Sequence, residues 1–212
     1  MPRASYRERL IGSMFASGAV IIDPQHPYKL RSGYLSPIYV ENNMLLRAPG
    51  YRTLVAKGFR DMIMQGGMQY DIIAGLTTAP VSFSTTLADD LTAPLIYVNP
   101  QTRKLGGVSD SHGIQGKTVI LLEDSVTTGG SLAGGVKAIR DAGGVVDQCL
   151  ALVTYELPES RELFDSLNFR LAAQLTSRDL IAGAKRFGIA GDILHEVEAW
   201  QRDISEWSAR HS

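Results

Sequence analysis

Hydrophobic residues in this chain follow two rhythms. Short apolar runs bounded by turn residues lie at 71–74, 95–98, 119–122, 149–154 and 171–175, and such runs predict strands buried on both faces of a sheet. Between them the spacing lengthens to three and four. Leu54, Val55, Phe59, Met62 and Ile63 form one series, and Leu132, Val136, Ile139 and Ala142 form another that stops at Gly143-Gly144. This spacing predicts amphipathic helices, and paired glycines are a frequent stop. Strands alternating with helices predict an α/β fold, a parallel twisted sheet flanked by helices. Val197, Trp200, Ile204 and Trp207 share one face of a helical stretch over 193–207. Both tryptophans there read as core or subunit-contact residues rather than as a site.

Ahead of the first run, residues 18–43 are rich in turn signals, among them Asp23-Pro24-Gln25-His26-Pro27 and Ser32-Gly33. They predict a small N-terminal hood of about residues 1–45 on a single domain spanning 1–212. The 212 residues are 44% hydrophobic and 20% charged, a globular composition that excludes disordered and fibrous classes. A formal net charge of -1 leaves no overall basic field, so neither nucleic acid nor a membrane surface is expected as a partner. Any anion has to be caught locally. Cys149 is the single cysteine and cannot form an internal disulfide. The longest apolar run is well short of the ~18 residues of a membrane span. With no signal-peptide core behind Met1 to Arg7, a cytoplasmic location is expected.

The chemistry concentrates in Val119-Ile120-Leu121-Leu122-Glu123-Asp124-Ser125-Val126-Thr127-Thr128-Gly129-Gly130-Ser131. A buried strand runs into two acids, hydroxyls and two glycines, and a helix follows. Ligands of parallel sheets bind beyond the carboxyl ends of the strands, where this segment delivers its polar groups. Gly129 and Gly130 permit positive φ and close backbone approach, and the helix start adds N–H groups and a positive dipole end, together a phosphate nest. Thr127, Thr128 and Ser131 can donate hydroxyls to the same phosphate. Two carboxylates would repel it, so they suit a ribose diol, from which they accept hydrogen bonds. The alternative is a plain corner whose Thr-Gly-Gly only caps the helix. Neither a Walker loop nor a dinucleotide fingerprint is present.

That combination resembles the signature of the type I phosphoribosyltransferases. The resemblance implies phosphoribosyl diphosphate as substrate, with Glu123 and Asp124 on the ribose hydroxyls and residues Ser125, Val126, Thr127, Thr128, Gly129, Gly130 and Ser131 on the 5′-phosphate. It also implies Mg²⁺ held mainly through the substrate, with no direct protein ligand. Within the family the chain is most similar to the orotate phosphoribosyltransferases of pyrimidine nucleotide biosynthesis. The similarity rests on Leu30-Arg31-Ser32-Gly33-Tyr34-Leu35-Ser36-Pro37-Ile38-Tyr39 and on Thr176-Ser177-Arg178-Asp179-Leu180. It implies that Arg31, Tyr39 and Thr127 meet the base and that Thr78 lies on the diphosphate side. Arg103, Lys104 and Asp124 are then the catalytic candidates, in a homodimer whose mobile loop crosses to the neighbouring subunit.

Several positions depart from the pattern. The loop that usually reads Arg-Lys-x-x-Lys-x-His-Gly is Asn99-Pro100-Gln101-Thr102-Arg103-Lys104-Leu105-Gly106 here, so two cations and the histidine are missing, and His112 later in the loop is a possible stand-in. The diphosphate turn reads Thr77-Thr78-Ala79-Pro80, and Pro80 lacks a backbone donor. Glu156 stands where the family carries the arginine for the orotate carboxylate, and an acid there should repel orotate. Two readings stay open: an active transferase for orotate or another base, and a non-catalytic sensor of phosphoribosyl diphosphate or nucleotide. Residues 99–116 are polar and glycine-rich and are expected to be mobile without ligand.

Overall fold

A computed structural model describes residues 4–30, 33–77, 79–107 and 113–211. Helix α1 (Tyr6–Ala16) opens with a capping box in which Ser5 and Glu8 satisfy each other's backbone N–H groups. Four short strands follow: β1 (Val20–Ile22), β2 (Tyr28–Lys29), β3 (Leu35–Ser36) and β4 (Ile38–Val40). They pair antiparallel, β1 with β4 and β2 with β3, and make the hood. A 3₁₀ turn at Asn42–Arg47 leads into helix α2 (Pro49–Gly66).

The core then alternates: β5 (Ile72–Leu76), α3 (Pro80–Leu91), β6 (Leu95–Val98), the two-residue β7 (Leu105–Gly106), β8 (Val119–Val126), α4 (Gly130–Asp141), β9 (Gln148–Thr154), α5 (Pro158–Ser166), β10 (Arg170–Thr176) and α6 (Ser177–Ala184). Two helices follow, α7 (Gly191–Arg202) and α8 (Ile204–Arg210). The sheet order is β10-β9-β8-β5-β6-β7, parallel except for β7. The five runs read from the sequence are its five parallel strands. Two expectations need correction. The 193–207 stretch is broken at Asp203, whose extended backbone ends α7 and whose carboxylate accepts from the Glu206 N–H to start α8. Residues 99–116 also carry a strand, since β7 turns back on β6; the expectation of mobility falls partly on 108–112, outside the described residues.

Alternation along the strands divides the core. Ile73, Ile120, Leu122, Leu150 and Leu152 face one side, with α1, α2, α3 and both tryptophans. Ala74, Leu121, Cys149 and Ala151 face the other, with Leu132, Val136 and Ile139 of α4 and Phe164 of α5. Trp200 and Trp207 are fully buried in the chain's own core. Cys149 is buried too, and desolvation pushes its thiol far above the ordinary range. Among the described residues, no helix is long and apolar enough to cross a membrane.

The sheet places the site. After β5 the chain moves outward to β6, and after β8 it moves the other way through β9 to β10, so strand order reverses between β5 and β8. Beyond the carboxyl ends of such a pair the two connections diverge and leave a crevice.

Candidate active site

That crevice is a cleft of about 620 Å³ running from the hood to the start of α4. Glu123 and Asp124 enter it from β8, Thr127, Thr128 and Gly129 from the turn after it, and Tyr39 from the hood. Strand β8 is longer than the apolar run implied. Its ladder continues through Ser125 opposite Val153 and Val126 opposite Thr154, so both acids are held on a central strand. Glu123 is only 8% exposed and accepts the Asp124 N–H at 3.1 Å, while Asp124 accepts the Ser125 N–H at 2.7 Å. Val126 belongs to the core cluster beneath the cleft, so only its backbone can serve a ligand.

The turn itself is specialised by one glycine. Gly129 has φ +79, the left-handed region, and a Cβ there would run into the Phe164 ring. Gly130, expected to share that freedom, takes an ordinary helical start instead, and a Cβ on it would meet nothing within 4 Å. No side chain caps α4. The cap position is held by Gly129, which has no side chain to offer. Instead the first-turn N–H groups and the positive dipole end open toward the cleft, the arrangement that favours an anion.

The remaining expected residues scatter. Tyr39 lines the cleft and stacks on Tyr28 with centroids 5.0 Å apart. Arg31, Thr78 and His112 lie outside the described residues. Pro80 takes the first position of α3, where its missing N–H is not required by the helix. Arg103 and Lys104 sit at the tip of the β6–β7 hairpin, away from the residues that line the cleft. Arg103 has φ +54, is 58% exposed on its side chain and approaches Asp141 at 4.0 Å. Asn99 closes the hairpin by accepting the Gln101 and Thr102 N–H groups, and Pro100 and Gln101 are the loop residues that reach the cleft.

Glu156 behaves differently from a bare acid. It lines a neighbouring cavity of about 630 Å³ and its carboxylate faces Arg161 at 3.6 Å and Arg178 at 3.7 Å. Two guanidiniums therefore answer its charge, which weakens the expected repulsion of a substrate carboxylate. Tyr155 separates the two cavities. It is 5% exposed, and burial holds its hydroxyl well above the usual range, so it stays protonated and donates to the Ile38 carbonyl at 3.5 Å. Sequence reasoning gave no role to several cleft residues, among them Lys29, Glu41, Asn42, Asn43 and Tyr155. Lys29 precedes the recognised segment by a single residue; Asn42 and Tyr155 had no motif to mark them.

No family model matches the chain. It is 36% identical over 215 residues to the orotate phosphoribosyltransferase of Rhizobium rhizogenes, a match covering 99% of this chain and 93% of that protein. Among solved structures it is similar to Leishmania donovani UMP synthase, with TM-score 0.80 and 23% identity over 93% of this chain and 42% of that longer one. It is also similar to Mycobacterium tuberculosis orotate phosphoribosyltransferase in complex with 5-phospho-α-D-ribosyl 1-diphosphate, with TM-score 0.64 and 21% identity over 83% of this chain and 99% of that one.

Proposed function

The chain belongs to the orotate phosphoribosyltransferase family, and from that premise we propose that its cleft binds phosphoribosyl diphosphate and transfers the ribose 5-phosphate to orotate. One observation carries the reading: the uncapped start of α4 and the acids of β8 open into one cleft, a site for an anion beside a site for a diol. The 5′-phosphate takes the α4 N–H groups with the hydroxyls of Thr127, Thr128 and Ser131. Glu123 and Asp124 accept from the ribose hydroxyls. Tyr39 covers the base, and Lys29 lines the same cleft as a cation for its carboxylate, a role the resemblance gives to Arg31.

Positioning supplies much of the rate in such a reaction, because the base nitrogen and the anomeric carbon are held in line as the diphosphate leaves. Carboxylates beside the ribose favour the positive charge that develops there. Among the described residues no group of three or more His, Cys, Asp or Glu side chains converges as a metal cage. Glu123 and Asp124 nevertheless offer hard oxygens. They suit Mg²⁺ that keeps most of its ligands from diphosphate and water, the usual habit of this ion, and it would neutralise the leaving group. Arg103 and Lys104, exposed and away from their own cleft, are the candidates to meet the diphosphate in a neighbouring subunit of a homodimer.

The test is a panel of free bases with Mg²⁺ and phosphoribosyl diphosphate, followed by diphosphate release. Orotate should give the fastest release. Faster release with another base would reassign the substrate, and binding without release for any base would leave only the sensor.

A further inference from the structure

Ser125 is the residue after the two acids, and the resemblance assigns it to the 5′-phosphate along with the turn. The structure separates it from that turn. It is still on β8, opposite Val153, four residues ahead of Gly129. Its side chain points to another partner: the Asn42 carboxamide Nδ2 donates to Ser125 Oγ at 2.7 Å. Asn42 begins the 3₁₀ turn that follows the hood, three residues beyond Tyr39. The bond therefore joins the base side of the cleft to the ribose side.

Its polarity matters. A serine hydroxyl has one proton to give, and an oxygen that is already accepting must aim that proton elsewhere. Among the described residues no group accepts it, and Ser125 is half-buried on the cleft wall. Asn42 is 2% exposed, and holding this orientation leaves its own Oδ1 buried without a partner among the described residues. A buried carboxamide left half-satisfied in this way is uncommon, and such groups mark sites where something beyond stability is maintained.

We propose that Ser125, oriented by Asn42, is a substrate-recognising donor that reads a ring carbonyl of the accepting base. This rests on the proposed reaction. The chemistry of the two reactants selects the base: the ribose offers hydroxyl donors, which suit the neighbouring carboxylates, and the 5′-phosphate belongs at the start of α4. With the diphosphate assigned to the hairpin cations, the remaining carbonyl acceptor next to the ribose is supplied by a pyrimidine of the uracil type. Asn42 is a positioning residue and acts only through Ser125.

The experiment compares Ser125→Ala, Asn42→Ala and the double variant, with orotate KM from diphosphate release and phosphoribosyl diphosphate Kd from calorimetry. Loss of one neutral hydrogen bond should raise orotate KM about 3- to 10-fold in Ser125→Ala while the diphosphate's Kd stays within about twofold. Asn42→Ala should give a similar rise. The double variant should be no worse than Ser125→Ala, because both remove the same interaction. Ser125→Thr, which keeps the hydroxyl, should recover most of the effect. An unchanged orotate KM in Ser125→Ala, or an equal loss of phosphoribosyl diphosphate affinity, would overturn this role while leaving the reaction standing. A wild type that does not bind phosphoribosyl diphosphate at all would overturn both. If Asn42→Ala does not fold, the serine variants decide alone.

Discussion

The corner after β8 and the hairpin between β6 and β7 border the same cleft, yet they hold their functional groups by different means. At the corner the groups that matter are largely backbone: helix N–H groups, a left-handed Gly129 packed under Phe164, and acids fixed on the central strand of the sheet. At the hairpin they are two exposed side chains, Arg103 and Lys104, at a tip that leads into a strand only two residues long. Altering the corner at Gly129 disturbs the core beneath it, through Phe164. Altering the hairpin disturbs almost nothing, because an exposed side chain has little packing to lose. Three departures from the family pattern fall on the hairpin, at Asn99, Pro100 and Leu105, and others at Pro80 and Glu156, while the corner keeps every element of its motif. The difference is one of support: the groups of the corner are held by the fold, and those of the hairpin stand on its surface.

The contrast can be attacked most directly at Gly130. Because a Cβ there meets nothing within 4 Å, Gly130→Val should fold normally while its side chain fills the phosphate approach. Phosphoribosyl diphosphate affinity should fall by about 100-fold or more, ~2.7 kcal/mol, with an unchanged thermal midpoint. Calorimetry and thermal unfolding together read this, and equal affinity in both proteins would remove the phosphate site from this corner.

Gly129→Ala probes the same corner through stability. An L residue at φ +79 is strained by about 1–2 kcal/mol, and crowding the Phe164 ring adds about 1–3 more, for an expected loss of ~2–5 kcal/mol in urea unfolding. A loss under about 1 kcal/mol would mean that the turn relaxes and that the backbone there is not locked.

At the hairpin, Arg103→Ala should leave stability and phosphoribosyl diphosphate Kd nearly unchanged and lower kcat about tenfold, because a contact that strengthens as the diphosphate leaves acts on the transition state. Turnover that survives loss of both Arg103 and Lys104 would shift the diphosphate's partner to another cation of the cleft, with Lys29 first.

The same division governs what could be read in advance. The parallel strands were legible because their apolar runs report burial on both faces directly. The corner that opens into the cleft was legible because glycines, hydroxyls and acids of that order have few other uses. The break at Asp203 was not, because Val197, Trp200, Ile204 and Trp207 all reach the core on either side of it, so periodicity runs through a point where the backbone does not. Helix α1 carried a readable start at Ser5 and Glu8, but its apolar face is thin, with only Leu10 and Met14 buried. The hood resisted for a further reason: strands of two or three residues are too short to show a period. Asn42 and Glu156 owe their roles to partners far away in the chain, at Ser125 for the one and at Arg178 for the other.

Strand β3 of the hood is tied down by helices made much later. The Leu35 N–H donates to Ser208 Oγ at 2.9 Å, and its carbonyl accepts from Trp200 Nε1 at 3.1 Å. In a growing chain, therefore, strand β3 is synthesised early, and its bonds to Trp200 and Ser208 form only when some 170 further residues have followed. The α/β layers can condense on the ribosome, since domains generally form from the N-terminal side as they emerge. The roof of the active site cannot. Its assembly is a contact of very long sequence separation, the slow kind. A nascent chain halted before α7 would thus hold the corner after β8 under an unfinished hood, with strand β3 still lacking its bonds to the last two helices.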